Sequence, residues 1–167
     1  MKKRIEVHSS VVSTASPEDI FSLLVNSSTY PAWSMIGRYE SIKPGLDGID
    51  GVGALRLFQT GSAVMTEEIV EIVPNERVGY TLLSGFPLLD YRATTNLTKT
   101  PQGALINWRS AFYPKYGLTG LFWRLLMTWV LNRMVRDLAR AAEDPQRRSR
   151  ILGHAASTGA QQVVIAA

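Results

Sequence analysis

The chain has 167 residues, 46% of them hydrophobic and 19% charged, which describes one globular domain long enough to bury a substantial core. It contains no cysteine, so disulfides, thiolate nucleophiles and cysteine-bound metal centres are excluded. The net charge of +4 gathers at the two ends, at Lys2, Lys3 and Arg4 and at Arg147, Arg148 and Arg150, without the interleaved aromatics of a nucleic-acid stacking platform, so nucleic acid is set aside as a partner.

Ile5 to Ser13 alternates apolar and polar residues and reads as a strand. The preceding basic residues are not followed by an apolar export segment, since Glu6, His8, Ser9 and Ser10 interrupt it, so a cytoplasmic protein is expected. Ser16-Pro17-Glu18-Asp19 then carries the signals of a helix start: a capping hydroxyl, proline at the first position and acids in the first turn. Ile20, Phe21, Leu23 and Leu24 form its apolar stripe, and Asn26-Ser27-Ser28 ends it. A second short helical turn covers Thr29 to Trp33.

Six further strands are expected, at 38–43, 54–60, 63–73, 77–83, 91–100 and 104–112, separated by a glycine-rich connection over 44–53 and by short turns such as Gly61-Ser62 and Pro101-Gln102-Gly103. Short turns between alternating strands predict an antiparallel meander. A long helix follows, about Leu118 to Glu143, and Pro145 stops it. The last stretch, 145–167, has no clear period and is expected to be a loosely held tail, with Val163-Val164-Ile165 as a weaker strand candidate. Two distant histidines and no carboxylate at ligand spacing predict no metal site, and no cofactor motif is present: Gly51-Val52-Gly53 enters a strand rather than a helix.

The order of strand, two short helices, six strands and one long helix resembles the helix-grip fold of the START and birch-pollen-allergen (SRPBCC) superfamily, and within it the bacterial polyketide cyclase/dehydrase-like proteins. The stretches "ASPEDIFSLLVNSSTYPAW", "EEIVEIVPNERVGYTL" and "INWRSAFYPK" carry the likeness. It implies an α+β fold in which a curved sheet of about seven strands grips the C-terminal helix, with residues 1–144 as the ligand-binding domain and 145–167 as the tail. The two short helices would close one end of the gap, with Trp33 at that corner.

A sheet wrapped around a helix leaves either a filled core or a cavity. Apolar alternation gives Leu55, Leu57, Val64, Thr66, Glu68, Val70, Tyr80, Leu82, Tyr91, Ala93, Thr95, Leu97, Trp108, Ser110 and Phe112 as inward residues. Thr66, Thr95 and Ser110 then need partners, from local backbone, water or a ligand with a few oxygens. Glu68 faces inward only if Val70 and Ile72 do; a bulge or a one-residue slip turns it out. Arg56 and Arg109 are its candidate partners, although strict alternation points both outward. Two connections form a candidate mouth, the glycine-rich loop 44–53 and "SGFPLLDY" over 84–91, where Phe86, Leu88 and Leu89 sit on a turn.

In the long helix, Leu131, Met134, Val135, Leu138 and Ala142 share one face opposite Arg133, Arg136 and Arg140. In its first half, Leu118, Phe122, Leu125 and Trp129 make the second face apolar as well. Loop 84–91, a second copy of the chain, ligand or lipid are the candidates to cover it; Phe122 and Leu125 join the expected ligand contacts. No helix reads as a transmembrane span. Two functions compete. One is a binding or carrier protein for a hydrophobic or amphipathic small molecule, held by Trp33, Leu57, Thr66, Glu68, Tyr80, Leu82, Phe86, Tyr91, Thr95, Trp108, Ser110, Phe112, Phe122 and Leu125. The other is a polyketide aromatase/cyclase or dehydratase in which Glu68, Tyr80, Tyr91 or Ser110 handles protons.

Overall fold

The computed structural model describes residues 3–165, with side chains to Ser157. Strand β1, Ile5–Ser13, leads into α1, Pro17–Val25, where Ser16 Oγ accepts the amide of Asp19 at 3.2 Å and Pro17 occupies the first turn. Asn26 caps a turn of 3-10 helix, Ser27–Thr29, that runs into α2, Tyr30–Trp33. Strands β2 (Arg38–Lys43), β3 (Leu55–Thr60), β4 (Ala63–Val73), β5 (Arg77–Ser84), β6 (Leu88–Thr100) and β7 (Gly103–Pro114) follow. The helices α3, Gly120–Glu143, and α4, Pro145–Ile165, complete the chain.

All seven strands are antiparallel in one sheet of order β1-β7-β6-β5-β4-β3-β2, so the first strand pairs with the last. Helix α3 lies across the inner face against β1 and β7. Ser9 donates to Asn132 and Ser13 donates to Glu143 Oε1 at 3.0 Å, fixing the helix along β1. The expected face of α3 is buried, with Leu131, Val135, Leu138 and Ala142 almost wholly covered. Around them Ile20, Leu23, Leu24 and Ile106 fill one end of the grip. This is the α+β helix-grip architecture expected from the chain.

Two expectations need correction. Beyond Pro145 the chain is neither a tail nor a strand but the helix α4. Asp144 supplies its cap, with Oδ1 accepting the amides of Gln146 at 2.9 Å and Arg147 at 3.0 Å, and Pro145 is its first residue. An Asp-Pro pair is a helix start as much as a helix stop. Ile151 and Ala155 are buried, and Arg148 pairs with Asp19 of α1 at 3.0 Å. The side chains of Val163, Val164 and Ile165 lie outside the described residues. Second, "SGFPLLDY" is not a loop: Ser84 ends β5, Leu88 begins β6, and only Gly85-Phe86-Pro87 turns between them. Leu88 is buried there.

Candidate functional site

Between the sheet and the middle of α3 lies a cavity of about 220 Å³. The sheet contributes Arg56, Phe58 and Thr60 from β3, Ala63, Met65 and Glu67 from β4, Tyr80 and Leu82 from β5, Tyr91 from β6 and Trp108 from β7. Tyr30, Met35 and Ile36 close one side, and Phe86 reaches in from the β5–β6 turn. Helix α3 adds Leu126, Met127, Trp129, Val130, Leu131 and Met134. Trp129 is 54% exposed although it lines the cavity, and Thr60 and Ala63 are partly exposed, so the opening lies between α3 and the β3–β4 turn.

The walls are apolar apart from one charged cluster. Arg56 and Glu67 stand directly opposite each other on β3 and β4 and point inward, only 1% and 6% exposed. Arg56 Nε donates to Glu67 Oε2 at 3.1 Å, and its Nη2 lies 3.0 Å from the same oxygen. The remaining nitrogen, Nη1, donates to Ser27 Oγ at 3.1 Å. The amide of Ser27 is in turn held by Asp50 Oδ2, a residue of the glycine-rich connection. The guanidinium sits 4.9 Å from the Phe58 ring centre, 5.0 Å from Tyr80 and 5.5 Å from Tyr30. Three N–H groups are thus engaged out of a guanidinium's five, a count set by its chemistry.

Burial governs the electrostatics. It raises the Glu67 carboxyl above its ordinary value, and Arg56 opposes that rise. Burial also works against the charge on Arg56, but Glu67, the neighbouring tyrosines and Asp50 outweigh it and keep the guanidinium firmly protonated. Desolvation pushes the hydroxyls of Tyr30 and Tyr91 up to about 12 and that of Tyr80 well above its ordinary value. These tyrosines are therefore neutral proton donors at physiological pH. Tyr80 accepts the Trp108 indole N–H at 3.3 Å and lies beside Tyr91, 6.3 Å between ring centres.

Of the residues expected to hold a ligand, Tyr80, Leu82, Phe86, Tyr91 and Trp108 line the cavity. Trp33 is core: its indole donates to Thr29 Oγ1 at 2.9 Å and its ring tilts against Tyr30. Phe112 is fully buried against Tyr91, behind the cavity wall. Thr95 and Ser110 face inward but do not reach the cavity, and neither Thr95 Oγ1 nor Ser110 Oγ makes a hydrogen bond. Ser110 lies near enough to the Tyr91 hydroxyl to ease its ionisation without reaching hydrogen-bond geometry. Phe122 and Leu125 are exposed on α3 and contribute no wall.

Leu57, Thr66 and Glu68 are corrections, because they stand on the opposite face of the sheet from Arg56, Phe58, Met65 and Glu67. The pairing of β4 with β5 skips Val70, a bulge that breaks alternation between Ile69 and Glu71. A register carried back from Val70 and Ile72 therefore lands one residue out. The missed pair was signalled by the Gly61-Ser62 turn, which sets Thr60 opposite Ala63 and so Arg56 opposite Glu67. Among the described residues no group of three His, Asp or Glu side chains is placed to hold a metal ion.

None of the curated proteins matches the chain. Among solved structures it is similar to norcoclaurine synthase from Thalictrum flavum in complex with dopamine and hydroxybenzaldehyde (TM-score 0.67, 16% identity, 83% of this chain and 86% of that one). It is also similar to the protein XoxI from Bacillus cereus (0.66, 17%, 86% and 97%) and to the Aha1 dimer from Colwellia psychrerythraea (0.63, 16%, 83% and 96%). At these identities the likeness establishes the shared fold. The model of the family described as polyketide cyclase/dehydrase and lipid transport matches residues 4–143, the whole sheet together with α1 to α3, and the chain belongs to that family.

Proposed function

We propose that this protein binds a small, largely apolar molecule bearing one or two polar atoms, with its apolar body against α3 and its polar end at Arg56, Glu67, Tyr80 and Tyr91. The observation that carries the reading is a single buried ion pair set in an otherwise apolar cavity wall. A buried pair adds little stability over apolar side chains of equal volume, which favours a functional reason for its presence. Ligand pockets combine apolar walls with a few placed polar groups in the same way. The volume bounds the ligand: about 150 Å³ of apolar cavity accommodates a benzene, so the space here suits one or two rings, or the head of a longer chain emerging past Trp129.

The test is calorimetric titration with 2-naphthol, a two-ring probe with one hydroxyl, alongside native mass spectrometry of gently purified protein. Saturable one-to-one binding is expected, weakened at least about tenfold by Val130→Trp, which fills the cavity without exposing core. Binding that does not saturate, or that Val130→Trp leaves unchanged, contradicts the reading.

One observation favours catalysis as a second reading. Glu67 is a carboxyl raised by burial, beside neutral tyrosine hydroxyls, an arrangement suited to moving a proton on a bound ketone or enol. The related fold of norcoclaurine synthase holds two single-ring compounds with polar substituents, in keeping with a cavity of this size. Here Glu67 takes the role expected of Glu68. Turnover of a polyketide-like substrate that Glu67→Gln abolishes while binding persists supports this reading; unchanged turnover removes it.

A further inference from the structure

A 3-10 turn, Gly117–Thr119, and the start of helix α3 carry an apolar stripe that the fold leaves uncovered. Leu118, Leu121, Phe122, Leu125 and Trp129 are each more than half exposed, at the spacing of one helix face, and the half-exposed Tyr116 ring precedes them. Neither loop 44–53 nor the β5–β6 turn covers this face. Cations border it: Lys3, Arg4 and Arg124 share a groove with Leu121, and Lys115 Nζ lies 5.9 Å from the Tyr116 ring centre. Glu6 is the acid in that groove. Among the described residues no ion pair engages these four cations. Lys115 and Arg124 belong to a stretch, residues 91–136, that contains seven Lys or Arg and neither Asp nor Glu, and Lys3 and Arg4 join them from the basic start of the chain.

We propose that this face docks onto an anionic lipid bilayer, with the apolar stripe entering the headgroup boundary and Lys3, Arg4, Lys115 and Arg124 on its phosphates. Charge complementarity selects the partner. An apolar stripe bordered by unpaired cations matches a negatively charged interface, whereas a two-fold contact between copies sets each basic border against its own like charge. The stripe also ends at Trp129, which lines the cavity opening, so a docked molecule presents its cavity to the membrane surface.

The experiment is co-sedimentation with vesicles of phosphatidylcholine alone or mixed with phosphatidylglycerol, at low and high salt, with a sizing column run in parallel. Binding is expected only to the mixed vesicles and to weaken with salt. Arg124→Gln is expected to reduce it by about fivefold, the value of one cation near an anionic surface. The double variant Leu118→Ser/Leu121→Ser changes exposed residues only; circular dichroism confirms its fold, and loss of sedimentation is expected. Absence of binding to mixed vesicles, equal binding to phosphatidylcholine alone, or undiminished binding by the double variant overturns the proposal. So does a dimer on the column that the double variant dissolves while vesicles capture nothing. Titration of the same variants with 2-naphthol in vesicle-free solution reads the cavity separately.

Discussion

Arg56 and Glu67 face each other with almost no exposed surface, and that position sets their energetics. Deleting one partner leaves an uncompensated charge among aromatic rings, whereas replacing both with apolar side chains removes the desolvation cost along with the attraction. Glu67→Leu is therefore expected to lower stability by about 3–5 kcal/mol, and Arg56→Met/Glu67→Leu to recover most of that loss in denaturant melts, since a buried pair exchanged for apolar residues is close to neutral. The pH dependence follows from the raised carboxyl. Between the ordinary value of 4.5 and the higher folded-state value, the unfolded chain has released the proton that the folded chain still holds. Stability contributed by Glu67 is thus present below 4.5 and declines as pH rises through that window. Comparing melts of the wild type and Glu67→Gln across the window checks this: the decline is expected to vanish in the variant. At this scale the sequence was partly legible. Alternation from Tyr91 to Leu97 on β6 and along β7 brings Tyr91 and Trp108 to the inner face, and on β5 Tyr80 and Leu82 reach the cavity together. The β6 irregularity at Asp90 lies just before Tyr91 and leaves that reading intact. Alternation carried back from Ile72 points to Glu68 rather than Glu67, because one skipped residue, Val70, reverses every inference carried across it.

At the scale of elements, the β5–β6 turn is the part of the cavity wall most sensitive to backbone geometry. Gly85 has φ +117°, and a β-carbon there would lie 2.5 Å from the carbonyl oxygen of Val64 in β4. Gly85→Ala is expected to destabilise the protein by about 1–3 kcal/mol, because strain and close approach act together. It is also expected to displace Phe86, whose ring lies 5.7 Å from that of Trp123. Thermal melting with near-ultraviolet circular dichroism checks both effects. The caps of α1, the alternation of β1 and the one-sided stripe of late α3 were plain in the residues because each is a local signal. Helix α4 was not, since its apolar anchors are sparse: Ile151 and Ala155 alone are buried beyond Pro145 among residues with described side chains. Its start was signalled all the same by the Asp144-Pro145 pair.

For the whole molecule, the grip leaves one end filled and the other hollow. The filled end takes α1 and the later turns of α3, while the hollow end is walled by aromatic rings, some stacked (Tyr30 on Phe58) and some edge-on (Tyr80 to Trp108), and by methionines. Four of the five methionines, Met35, Met65, Met127 and Met134, line the cavity. Their unbranched thioethers suit a wall that adapts to its guest. Among the described residues no helix is long and apolar enough to cross a membrane. The methionine methyl groups provide the most direct test of the account. In carbon-13 methyl spectra, titration with 2-naphthol is expected to shift the signals of these four residues together and saturably, with the shifts greatly reduced in Val130→Trp. Signals that stay in place at saturating probe, or that move equally in Val130→Trp, would contradict a ligand held between the sheet and α3.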